Sequence, residues 1–85
     1  MEMTRVFEPP LPLEVEVDGE GRPAWITRGP LTGRLEPHAR WLVQIDWWLR
    51  PVDRECWRAE VGRQLLVELF RDLHEGAWFL ERVYD

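Results

Sequence analysis

Eighty-five residues with a net charge of -5 and a pI near 5.0 make one small acidic domain. A chain this short buries about 60–65% of its unfolded surface, so its core is small. A whole-molecule acidic field argues against non-specific binding to nucleic acid or an anionic membrane, while leaving room for a local basic patch.

Residues 7–12 read "FEPPLP", three prolines in six residues. Proline removes backbone donors and disfavours helix at the residue before it. Residues 1–12 therefore read as a Pro-rich N-terminal arm. In "LEVEVDGEGRPAWITR", Leu13, Val15 and Val17 alternate with Glu14 and Glu16, the period of a half-buried strand. "DGEGRP" supplies a turn, and Ala24 and Ile26 alternate with Trp25 and Thr27, so the stretch reads as a hairpin. "GPLTGRLEPH" is broken by two glycines and two prolines and holds a short strand at most. Over residues 41–50, Trp41, Val43, Ile45, Trp47 and Leu49 fit one strand face, with Gln44, Asp46 and Arg50 on the other. A helix stripe also fits part of this run, but Trp, Val and Ile favour the strand. In "RECWRAEV", Trp57, Ala59 and Val61 share a face opposite Arg54, Cys56, Arg58 and Glu60. Residues 63–73 fit both a strand and a helix, and "AWFLERVYD" reads as a final strand.

Turns every ten to fifteen residues leave connections too short for parallel crossovers. The expected fold is all-β: a small antiparallel meander, bent sheet or partly open barrel of five to six strands, with at most one short helix. Residues 1–85 form a single domain.

Nothing in the chain assembles a catalytic set. Ser is absent, and Cys56 has no helix N-terminus to activate it toward His38 or His74. Two His and one Cys lack metal-ligand spacing, and there is no phosphate-binding glycine motif. No enzyme activity, metal or cofactor is expected. The lone Cys56 cannot form an internal disulfide and fits a reducing, cytoplasmic compartment. "MEMTRVFEPP" has no apolar run of a secretory signal, and no stretch approaches the ~20 apolar residues of a membrane helix. All eleven basic residues are Arg, and Lys, Ser and Asn are absent. A GC-rich genome accounts for this bias, and so does a thermophilic source.

The remaining signal is the mixture of aromatic residues and arginine. Four of the six tryptophans fall between Trp41 and Glu60 with Arg50, Arg54 and Arg58. Trp and Arg are enriched at interface hot spots, and Arg gains energy over an aromatic face. Adjacent Trp47 and Trp48 point to opposite faces of a strand, so both cannot sit in one single-sided core. Either the outer tryptophans pack within a two-sided barrel, or they form a partner surface. The candidate binding face comprises Trp47, Trp48, Arg50, Arg54, Arg58, Arg71 and Trp78.

Trp47, Trp48, Pro51, Arg54 and Trp57, followed by Arg71, Asp72, Gly76, Trp78, Phe79, Leu80, Tyr84 and Asp85, resemble a small bacterial domain family of unknown function. A similar stretch closes the chain of ImuB-type proteins, catalytically deficient relatives of Y-family DNA polymerases that act as hubs in translesion synthesis. The resemblance covers residues 41–85, about half the chain. It implies an accessory domain associated with DNA repair or error-prone synthesis, with no activity of its own. The expectation is a non-enzymatic interaction module whose partner is a protein or a second copy. The alternative is single-stranded nucleic-acid binding through the aromatic–arginine face.

Overall fold

The computed structural model describes residues 4–46, 51–62 and 65–84. Among them are six strands: β1 (Thr4–Val17), β2 (Pro23–Arg28), β3 (Gly33–Ile45), β4 (Val52–Val61), β5 (Leu65–Asp72) and β6 (Trp78–Tyr84). Each pairs antiparallel with the next, and β6 returns to β1 to close a barrel. There is no helix among the described residues, so none is long and apolar enough to cross a membrane. The all-β, antiparallel expectation holds.

Local chemistry sets the turns. After β1, the Asp18 carboxylate accepts backbone hydrogen bonds from Glu20 and Arg22, both at 2.9 Å, and Gly21 takes the left-handed conformation (φ 83°). After β5, Asp72 repeats the device: its Oδ1 accepts from His74 N–H at 2.8 Å, and Gly76 (φ 75°) donates to the Asp72 carbonyl. An aspartate that satisfies local N–H groups, with a glycine for the positive φ, is a stable reversal.

The core lies inside the ring. Ile26, Leu35, Ala59, Val67, Leu69 and Leu80 are its most buried members, and Leu13, Trp57, Val61, Trp78 and Val83 complete it. Burying one such aliphatic side chain contributes about 1.5–3 kcal/mol. The sequence expectation for β4 is met, with Trp57, Ala59 and Val61 facing inward.

Two expectations change and one open alternative is resolved. The Pro-rich lead-in is drawn into β1 from Thr4 onward. Thr4–Val6 and Leu11–Leu13 pair with β6, and the ladder is irregular between them, where Pro9 and Pro10 have no N–H to give. The Gly33–His38 stretch, expected to hold a short strand at most, opens the long β3; a register shift between Pro37 and Ala39 absorbs the proline. Residues 65–72, ambiguous between helix and strand, are strand.

The pairing is uneven around the ring. β1 gives Glu14–Val17 to β2 and its earlier residues to β6. Among the described residues β3 gives only Gly33 and Arg34 to β2, while its later part, from Leu35 to Ile45, pairs with β4 alone. β1 and β3 make no direct contact among the described residues. The barrel is thus shut at one end by the short β2 and open at the other. There the early half of β1 and the late half of β3 present edges unpaired among the described residues.

Candidate functional site

The register assigns each candidate residue to a face. Arg40, Trp57, Leu69 and Leu80 are successive neighbours across β3, β4, β5 and β6, as are Leu42, Glu55, Arg71 and Trp78. Trp57, Leu69, Leu80 and Trp78 belong to the core, so these rows face inward. The alternate row runs Trp41, Cys56, Phe70, Phe79 and Pro12, and faces outward.

The predicted face is therefore divided. Arg54 and Arg58 lie on the outer face, and Arg71 and Trp78 on the inner face toward the open end. Trp47, Trp48 and Arg50 lie outside the described residues. Arg58 is ion-paired with Glu68, its Nη2 donating at 2.7 Å and its Nε at 3.1 Å to the same oxygen. The Tyr84 hydroxyl donates to that oxygen at 2.7 Å, and Arg82 donates to the hydroxyl. Arg54 lies over the Phe70 ring, 4.3 Å from its centroid, and Phe70 stacks on Phe79 with centroids 5.3 Å apart. Cys56 and Phe70 are only 3% and 2% exposed although both point away from the core.

On the inner face Glu55 takes both neighbours. Arg40 Nε donates to its Oε2 at 2.8 Å, with Nη2 in ion-pair contact at 2.7 Å, and Arg71 Nη2 donates to Oε1 at 2.7 Å. Arg71 also covers Trp78, and Arg40 covers Trp57. Burial pushes the Glu55 carboxyl upward, but the Arg40 hydrogen bonds and the Arg71 charge outweigh it and hold the group below its ordinary value. Glu68 follows the same balance, burial opposed by hydrogen bonds from Arg58 and Tyr84, and is also lowered.

Arg40, Arg58 and Arg71 are thus occupied in ion pairs with Glu55 and Glu68, while Arg54 is held over an aromatic ring. Exposed large apolar side chains lie elsewhere: Val6, Val17, Trp25 and Leu73 are scattered, while Trp41, Leu42 and Ile45, at 36%, 47% and 44% exposed, fall together on the unpaired half of β3. Trp41, Val43 and Ile45 share the outer face, as the alternation of the sequence predicts, but it is not the core face. The register shift before Ala39 turns them outward. From Ala39 to Ile45 the strand carries no proline and a single charge, Arg40. Sequence reasoning missed this edge because nothing in the residues shows that the pairing of β2 with β3 stops at Arg34.

His38 lies against Glu60 at 3.5 Å and His74 against Asp53 at 3.2 Å. Burial, reinforced by the nearby Glu81 charge, pushes the Cys56 thiol up to about 11 and keeps it protonated. Among the described residues no cluster of three or more His, Cys, Asp or Glu is arranged to hold a metal. At the closed end Trp25 and Arg34, Cα partners across β2 and β3, line an open groove of about 740 Å³ with Arg22, Asp18 and Glu36. No family model, curated protein or solved structure matches the chain.

Proposed function

We propose that the protein is a non-enzymatic interaction module that receives a partner's strand along the open edge of β3. The observation that carries this reading is the stretch Ala39–Ile45, paired among the described residues on one side only and bearing exposed Trp41, Leu42 and Ile45. An unpaired edge offers a row of N–H and C=O groups, and native proteins guard such edges with proline, charge or cover. An incoming strand satisfies those groups, while its alternate side chains read the flanking surface. Trp41 is the natural anchor, a large rigid ring at the margin of the apolar outer row. The association with translesion synthesis rests on the resemblance of the 41–85 motifs, and a cytoplasmic setting rests on the unpaired, buried Cys56 thiol.

The nucleic-acid alternative draws less support. Of the cations it calls on, Arg50, Arg54 and Arg58, Arg58 is engaged by Glu68 and Arg54 lies over the Phe70 ring, while Arg50 is outside the described residues; the net charge is -5. The test is selection of displayed strand-forming peptides on the wild-type protein and on a Trp41→Glu/Ile45→Lys variant, which leaves the core intact. Peptides enriched on the wild type and lost on the variant support the reading. Equal recovery on both, or no enrichment, contradicts it. Saturable quenching of tryptophan by single-stranded oligonucleotide, lost at high salt, would favour the alternative.

A further inference from the structure

We infer that the occupant of the β3 edge is a second copy of the chain, paired antiparallel about Val43. This rests on β3 being a docking edge and names what docks there. A strand that pairs with its own copy about a two-fold axis must be self-complementary, because each residue meets a fixed partner and the pair recurs on the other side. With Val43 opposite the partner's Val43, Trp41 faces Ile45, Leu42 faces Gln44 and Arg40 faces Asp46. Each of these pairs occurs twice.

The chemistry of that register is favourable at its apolar and charged pairs. Trp41, Val43 and Ile45 are outward on β3, so the seam joins aromatic and β-branched side chains on one face. It would extend the outer row of Trp41, Cys56, Phe70 and Phe79 from one subunit to the next. On the other face Arg40 meets a carboxylate. Its Nε and Nη2 are on Glu55, and the Nη1 end of the same planar fork remains to reach Asp46 of the second copy. Moving the two-fold to Leu42 sets Arg40 against Gln44 and breaks that pair. Moving it to Trp41 sets Glu36 against Asp46, two like charges. The other open edge, on β1, carries Pro9, Pro10 and Pro12 and cannot extend the ladder in the same way. Association therefore stops at two copies.

The test combines sedimentation equilibrium of the full chain over roughly 1 μM to 1 mM with cysteine cross-linking. Directly opposed antiparallel residues have Cα atoms about 4.5–5.5 Å apart, within the ~4.4–6.8 Å range of a disulfide. Val43→Cys should give a covalent dimer on mild oxidation. Gln44→Cys alone should not, but mixed with Leu42→Cys it should. Asp46→Arg turns two attractive pairs into repulsive ones and should weaken dimerisation about tenfold or more, and Ile45→Lys should do at least as much. A chain that stays monomeric to 1 mM overturns the inference. So does a dimer indifferent to Asp46→Arg and Ile45→Lys with no Val43→Cys link. If the chain is monomeric but selects peptides through β3, the docking edge stands and only the second copy falls; failure of both removes the edge itself.

Discussion

β1 and β3 are the two longest strands, and each is paired on both sides over only part of its length. Their open halves differ. That of β1 is crowded with Pro9, Pro10 and Pro12 and loses its regular ladder against β6 between Val6 and Leu11. That of β3 runs from Ala39 to Ile45 without proline, in unbroken register with β4. Proline at an edge removes the donors another strand would use, so β1 is closed to strand addition although it is uncovered. The same protein therefore guards one edge and leaves the other available.

The largest effect expected separates the shared core from both edges. Leu80→Ala removes a fully buried side chain that is a Cα partner of Leu69 on β5 and Leu11 on β1. It should destabilise the chain by about 2–5 kcal/mol in urea unfolding. Leu42→Ala makes the same truncation on the β3 edge and should cost less than about 1 kcal/mol in dilute solution. Equal losses would mean that the β3 edge is covered in the monomer.

Next comes the ion pair beneath the β3 edge. Glu55→Ala leaves Arg71 and Arg40 without their shared carboxylate. Breaking a fully buried pair costs about 3–5 kcal/mol. Arg40 is about half exposed, so solvent screening lowers the expectation to roughly 2 kcal/mol. Chemical denaturation of the variant checks this. A loss below a few tenths of a kcal/mol would show that Glu55 does not hold β3, β4 and β5 together.

The comparison of the edges can be inverted directly. Replacing Pro10 and Pro12 of β1 by Val restores donors and β propensity. Such a chain should form species larger than a dimer at concentrations where the wild type does not, visible as a rising weight-average mass. An unchanged mass would show that proline is not what keeps the β1 edge closed.

The smallest effect is the pH dependence. Glu55 and Glu68 both have folded values below the ordinary 4.5, so the unfolded chain binds more protons in that range. Their contribution is present above about pH 4.5 and is lost as the pH falls through their folded values. Stability should therefore rise with pH across the acid limb, with a shallower slope in Glu68→Gln. An identical slope in that variant would remove the Arg58–Glu68–Tyr84 cluster as its source.

Much of the architecture is legible in the sequence. The hairpin from Leu13 to Arg28 shows in its alternation and its Asp18–Gly21 turn. β5 does not, because it is buried on both faces. Val67 and Leu69 point into the core while Glu68 and Phe70 lie under Arg58 and Arg54, so the polar half of the alternation is missing and a helical stripe fits as well. The start of β3 hides behind Gly33 and Pro37, which read as breakers until the register shift accommodates them. At the candidate face the residue types are right and their grouping is not. Arg58 and Arg71 are separated by strand register, and their partners Glu68 and Glu55 lie far along the chain. An open edge is a property of pairing, invisible until the length of β2 is known.

Amide hydrogen exchange resolved along β3 tests the central claim most directly. In dilute solution alternate amides from Ala39 to Ile45 should exchange almost as freely as those of an unpaired chain, while their neighbours, bonded to β4, stay protected. Raising the protein concentration, or adding a peptide selected on this edge, should slow the free set without changing the Thr4–Pro12 stretch of β1. Protection of every Ala39–Ile45 amide at dilution, or protection gained on β1 instead, would contradict the account.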